Sequence, residues 1–153
     1  MGGGVGIEEL LQRMESGREA LTARMRAALE EHAFTNRALF PPRQLAEFAR
    51  QEAESFLSFL RDPDEAMARE RGRSLARQGL SHRSVLALTQ ALQEVGWESA
   101  NPEVELWPPF QQTIGHYVRA LLEGYMAARE ESILEQQEKT RQALLRALQQ
   151  RSE

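Results

Sequence analysis

Apolar residues recur along this chain every three or four positions, the period of a helix with one buried face. No stretch of useful length alternates apolar and polar residues as a half-buried strand would. Ile7, Leu10, Leu11 and Met14 form one stripe, and Leu21, Met25, Ala28 and Leu29 form another. Residues 7–32 therefore read as helix, with Ser16-Gly17 as a break or kink. Residues 33–42 read as a loop closed by Phe40-Pro41-Pro42. Phe34 and Phe40 are expected to turn inward, because phenylalanine seldom stays wet. A second helix enters through Pro42, which suits a helix entrance because its missing N–H has no partner there anyway. It runs to about residue 60 with Leu45, Phe48, Ala49, Ala53, Phe56, Leu57 and Leu60 on one face.

Asp62 or Asp64 can cap a third helix, with Pro63 in its first turn and Gly79 at its end. Its apolar positions are Ala66, Met67, Leu75 and Ala76, and the mid-helix Gly72 fits either a close approach by another helix or a tolerated surface glycine. Ser81 caps a fourth helix bearing Val85, Leu88, Leu92 and Val95, expected to stop at Gly96 and to be followed by an irregular connection over residues 97–108. The last segment holds no proline after Pro109. Ile114, Val118, Leu121, Leu122, Tyr125 and Met126 give it a wide stripe suited to a core, and beyond Arg129 it turns to glutamate, glutamine and arginine with sparser apolar residues. Continuous from 109 to 150, this helix is ~63 Å long at 1.5 Å per residue. A compact domain of this length is only about 40 Å across. The helix outruns its own body, so its far turns have little of the same chain to pack on. Met126, Ile133, Thr140 and Ala147 are spaced by seven, with Glu130, Gln137 and Leu144 between them, which makes a coiled-coil seam weakened by polar residues. A chain end just past this stalk is expected to mark the place of an output domain, or of a partner that supplies one.

Composition narrows the function classes. The 153 residues suit one domain: 1–6 as a flexible start, 7–128 as the helical body and 129–153 as the extension of the last helix. Cysteine is absent, which removes disulfides, thiolate zinc sites and cysteine nucleophiles. A net charge of −4 argues against a general affinity for nucleic acid. No apolar run is long enough to span a membrane, and no secretory signal opens the chain, so a cytoplasmic protein is expected. Among the basic residues only Lys139 is lysine, and Asp62 and Asp64 are the only aspartates, both in one breaker between helices.

Catalytic motifs are missing. There is no phosphate-binding glycine loop, no dinucleotide fingerprint, no His-Glu-x-x-His and no nucleophile elbow. Ser81-His82-Arg83 reads as a capping serine followed by exposed polar residues. The expectation is a non-enzyme without cofactor or metal. Were haem to bind, His82 at the start of the fourth helix or His116 in the last would be the candidate iron ligand. A second alternative is a helical adaptor whose tail docks on another protein.

Three stretches carry a resemblance. They are Leu45-x-x-Phe48-Ala49 with Phe56-Leu57-x-Phe59-Leu60; then Gly72-Arg73-x-Leu75-Ala76-x-x-Gly79-Leu80-Ser81; then Leu121-Leu122-Glu123-Gly124-Tyr125-Met126 leading through Arg129-Glu130 into Ile133-Leu134-Glu135-Gln136-Gln137-Glu138-x-x-Arg141-x-Ala143-Leu144. In this order they resemble the N-terminal sensor domain of the RsbR/RsbRD type, the RsbT co-antagonists of the bacterial stressosome. The resemblance implies an all-α, globin-like bundle without haem, a homodimer, and a long C-terminal signalling helix. In stressosome proteins that helix leads into a STAS domain that controls a kinase. On this reading the chain is a non-catalytic input domain of a signal-transduction protein, coupled to an output module. Val118, Leu122, Tyr125, Met126 and Ile133 are the expected contacts with the dimer partner.

Overall fold

The computed structural model describes residues 3–101, 105 and 107–152. Six helices follow one another: α1 (Gly3–Ser16), α2 (Arg18–Glu31), α3 (Pro42–Arg61), α4 (Glu65–Gln78), α5 (His82–Ala100) and α6 (Trp107–Ser152), with one 3-10 turn at Ala33–Thr35. No strand occurs among the described residues. Helix α1 takes in Gly3, Gly4, Val5 and Gly6, while Met1, Gly2 and the side chains of Val5 and Ile7 lie outside the described residues, as do 102–104 and 106 of the expected connection.

The local chemistry sets most boundaries. Gly17 separates α1 from α2, and Pro42 opens α3. Asp64 caps α4 by accepting from the backbone N–H of Ala66 at 3.1 Å and of Met67 at 3.3 Å. Pro63 therefore precedes the cap and is not in the first turn as expected. Gly79 ends α4 with φ of 100°, a left-handed conformation that costs glycine little. Ser81 accepts from Ser84 N at 3.1 Å and caps α5. The loop after the 3-10 turn is tied to this corner: Asn36 Oδ1 accepts from Ser81 N and from Ser84 Oγ, both at 2.8 Å, and Arg37 N donates to Gly79 O at 2.9 Å.

The core is one continuous cluster built on two main sets of helix pairings. Helix α2 packs on α3 and α5, with Leu21, Met25 and Leu29 meeting Phe48, Phe56 and Leu88 in one fully buried cluster. Helix α4 packs mainly on α6, the most extensive helix pair in the molecule. Their backbones touch. A β-carbon on Gly72 would come within 2.8 Å of Tyr125 N, and one on Gly124 within 2.9 Å of Arg69 Cα. Of the two readings of Gly72 the close approach holds, with α6 as the neighbour, and a glycine on each side makes it possible. By contrast α3 and α4, though joined by a short turn, barely meet.

Four expectations are corrected. Phe34 is 94% exposed, because its turn is held on the surface by the Asn36 hydrogen bonds; Phe40 does pack, edge-on to Phe48 at 5.1 Å. Helix α5 does not stop at Gly96 but runs to Ala100, since Gly96 faces Phe110 and Trp107 of α6 and its small size lets them in. Helix α4 buries Ala68, Gly72, Leu75 and Ala76, while Ala66 and Met67 face outward. Met126 is exposed, because it lies on the side of α6 turned away from α4.

Helix α6 runs unbroken for 46 residues, ~69 Å at 1.5 Å per residue. Its last buried residue is Ala128, and every position from 133 to 151 is exposed. The overhang expected from length alone is present.

Candidate functional site

Two features are built beyond what a plain bundle needs. The first is the outer surface of α6. At 3.6 residues per turn, Gly115, Leu122, Met126, Ile133, Thr140 and Leu144 fall close to one line, on the side opposite the core-facing Tyr117, Leu121 and Gly124. A side chain on Gly115 would meet nothing within 4 Å. Val118 and Leu122 are partly buried and rest on the core, while Met126 and Ile133 are 66% and 52% exposed. Tyr125 is different: it is buried, and its hydroxyl donates to Leu80 O at 2.6 Å. Of the five expected partner contacts, four border the outer stripe and Tyr125 belongs to the body's interior. Leu134, Leu144, Leu145 and Leu148 are also large apolar side chains left in the open.

The second feature is a buried polar cluster joining α3, α4 and α6. Glu52 is fully buried in the middle of the apolar face of α3. Arg71 of α4 donates from Nε to Glu52 Oε2 at 2.8 Å. Tyr117 of α6 directs its hydroxyl proton at Glu52 Oε1, and its oxygen lies 3.1 Å from Ser55 Oγ. Burial first, then the charge of Glu52, holds the Tyr117 phenol well above its ordinary pKa, so it stays neutral. Phe56 and Phe59 flank its ring with centroids 5.3 and 5.2 Å away. The second nitrogens of Arg71 are less well served: Nη1 reaches Gln51 Oε1 at 3.3 Å, and Nη2 is buried with no acceptor among the described residues. A cleft of about 510 Å³ opens over this cluster, between α3 and α4.

The sequence reading did not find Glu52, Arg71 or Tyr117. A signal existed: Glu52 sits four residues from both Phe48 and Phe56, on the face that must be dry.

The histidines are not gathered into a site. His82 and His116 are exposed on different helices, neither borders the cleft, and the nearest acid to His116 Nδ1 is Glu65 at 3.7 Å. Among the described residues no group of histidine, aspartate and glutamate could hold a metal ion, and no helix is long and apolar enough to cross a membrane. The buried polar cluster couples α3, α4 and α6.

Residues 15–140 match the family described as the RsbT co-antagonist protein rsbRD N-terminal domain. No curated protein and no solved structure matches the chain. The family match takes in all of α2 to α5, the Gly72–Gly124 crossing, the buried cluster and the first half of the overhang. The chain belongs to the RsbRD N-terminal domain family, non-catalytic regulatory domains of stressosome signalling proteins.

Proposed function

We propose that this domain is the cytoplasmic input half of a signalling protein, that it works as a homodimer, and that α6 carries a change in the body to an output module. The observation that supports this most is the outer stripe of α6. It begins on the body at Gly115, continues through Leu122 and Met126, and runs onto the overhang at Ile133 and, past Thr140, at Leu144. Single exposed apolar residues are ordinary, but an aligned row of them on one helix is the pattern of a helix–helix partner surface. A second copy of the same chain presents the same row, and a two-fold axis along it would cover both. The seam is poor, since Gln136, Gln137 and Thr140 interrupt it. A poor seam suits a two-state element that an input biases by a few kcal/mol.

Light scattering on the whole chain tests the dimer. The expected mass is twice 17.4 kDa, falling to one chain in the double variant Met126→Glu, Ile133→Glu. Tyr125→Phe, which touches only the interior, is expected to leave the mass unchanged. A wild-type mass of one chain at high concentration overturns the reading.

A further inference from the structure

Where the overhang leaves the body, the outer stripe of α6 is bordered by charge. Each residue turns the helix by ~100°. Measured from the mean direction of Leu122, Met126, Ile133 and Leu144, Arg129 lies about 45° to one side and Glu130 about 55° to the other. Two turns further on, Gln136 and Gln137 repeat the arrangement at about 65° and 35°. An open groove of about 490 Å³ lies here, lined by Arg129, Ile133, Gln136, Gln137 and Thr140, and by Arg37 from the loop before α3. Arg37 donates from Nη1 to Ser132 Oγ at 3.4 Å. Ser132 is on the arginine side of the stripe, so Arg37 adds to the positive charge there. Other charges on this helix are answered within the chain, Arg119 by Glu123 at 3.8 Å and Arg141 by Glu138 at 2.9 Å. Arg37, Arg129 and Glu130 make no ion pair among the described residues.

We propose that Arg129 of each chain pairs with the partner's Glu130, so that the two α6 helices of a dimer run parallel and in register. A two-fold axis parallel to the helices lays the arginine flank of one on the glutamate flank of the other, and does so twice. The two residues differ in height by only ~1.5 Å. Helix axes ~8–10 Å apart bring their β-carbons within roughly 6 Å, inside the reach of a guanidinium fork. The glutamine step closes in the same way, Gln136 on the partner's Gln137, because an amide both donates and accepts. Antiparallel helices would lay arginine flank on arginine flank and glutamate flank on glutamate flank, and like charges so placed repel. The polar steps that weaken the seam thus choose its direction, a specificity gained at a cost in strength. This pairing rests on the reading of α6 as the dimer surface and adds to it the direction, the register and the residues that select them.

The test is a charge-swap cycle on the whole chain, with the dimer dissociation constant read by sedimentation equilibrium. Arg129→Glu and Glu130→Arg each set like charges across the seam and should raise the constant at least ~tenfold. The double variant Arg129→Glu, Glu130→Arg restores opposite charges and should return to within about threefold of the wild type. Direction is read separately. The chain holds no cysteine, so Ile133→Cys and Leu144→Cys, both at exposed positions, each supply a single thiol. In parallel helices both variants should form disulfide-linked dimers under mild oxidation, because each thiol faces its own copy across the axis. In antiparallel helices only a position level with the axis meets its copy, and these two stand ~16 Å apart along the helix, too far for both to bridge. The pairing is overturned if the single reversals leave the constant unchanged, if the double variant is as weak as the singles, or if fewer than both cysteine variants cross-link. Any of these in a chain that is a wild-type dimer removes the parallel pairing alone. A wild-type chain that stays monomeric at high concentration removes the dimer, and the pairing with it.

Discussion

Up to Ala128, α6 sends Phe110, Ile114, Tyr117, Leu121 and Tyr125 into the body; from residue 133 to 151 every position faces outward. One backbone thus serves two regimes. In the first half the helix is held by burial and by the glycine crossing with α4. In the second it stands on helix-forming residues and on short-range pairs such as Arg141 Nη2 with Glu138 at 2.9 Å and Gln142 with Glu138 at 3.2 Å. Those pairs add only ~0.2–0.5 kcal/mol each, and a free helix of this length is marginal in water. The overhang remains helical because the body supplies its first turns. It is the part that the proposed second chain would stabilise most.

The comparison can be broken in order of effect. Arg71→Met, which strips the buried Glu52 carboxyl of its ion-pair partner, should destabilise the body by about 3–5 kcal/mol. The double change Glu52→Leu, Arg71→Met should recover most of it, both read by urea unfolding; a single variant as stable as the double would mean that the buried pair is not what ties α3 to α4. Next, Leu121→Ala should cost about 2–5 kcal/mol, whereas Leu144→Ala in dilute protein should stay within ~0.5 kcal/mol. If the overhang pairs with a second chain, the Leu144→Ala cost grows as protein concentration rises; a cost equal to that of Leu121→Ala at every dilution would place residue 144 under its own body.

The smallest effect sharpens the body's side. Tyr117→Phe removes one hydrogen bond from Glu52 and should cost about 1–2 kcal/mol near neutral pH. Because the folded pKa of Tyr117 lies above its unfolded value, the neutral phenol is favoured by folding. That contribution is fully present below about pH 10, the unfolded value, and is lost as pH rises toward the folded one. Melting temperature should therefore fall more steeply above pH 10 in the wild type than in Tyr117→Phe, and parallel curves would contradict the burial of an ionisable phenol here.

Much of the fold was legible because helix faces and caps are local. The period of Phe48, Ala49, Ala53, Phe56 and Leu57 located α3, Ser81 and Asp64 capped where expected, and the length of the final helix foretold the overhang. The misreadings came from contacts distant in sequence. Gly96 reads as a stop when alone, but Phe110 and Trp107 turn it into a packing notch. Phe34 reads as a plug, yet Asn36 binds its loop to the α5 corner and leaves the ring outside. The buried cluster was illegible for the same reason. Glu52, Arg71 and Tyr117 come from three helices, and only their assembly makes a charged residue tolerable on a dry face. Val118, Leu122, Met126 and Ile133 could be placed by spacing along one helix, whereas Tyr125, one position from Met126, is claimed by Leu80 O on another segment.

The crossing of Gly72 and Gly124 also decides what kind of movement the rod can make. With backbone resting on backbone, sliding along the axis would drive neighbouring side chains into the notch, so rocking about that point is the motion left open. From Gly124 to the helix end is ~42 Å at 1.5 Å per residue. A tilt of ~5° at such a fulcrum swings the tip by ~4 Å, close to the rise of a helical turn, ~5.4 Å, so a sub-ångström adjustment beside Arg71 would emerge magnified at the far end of the lever.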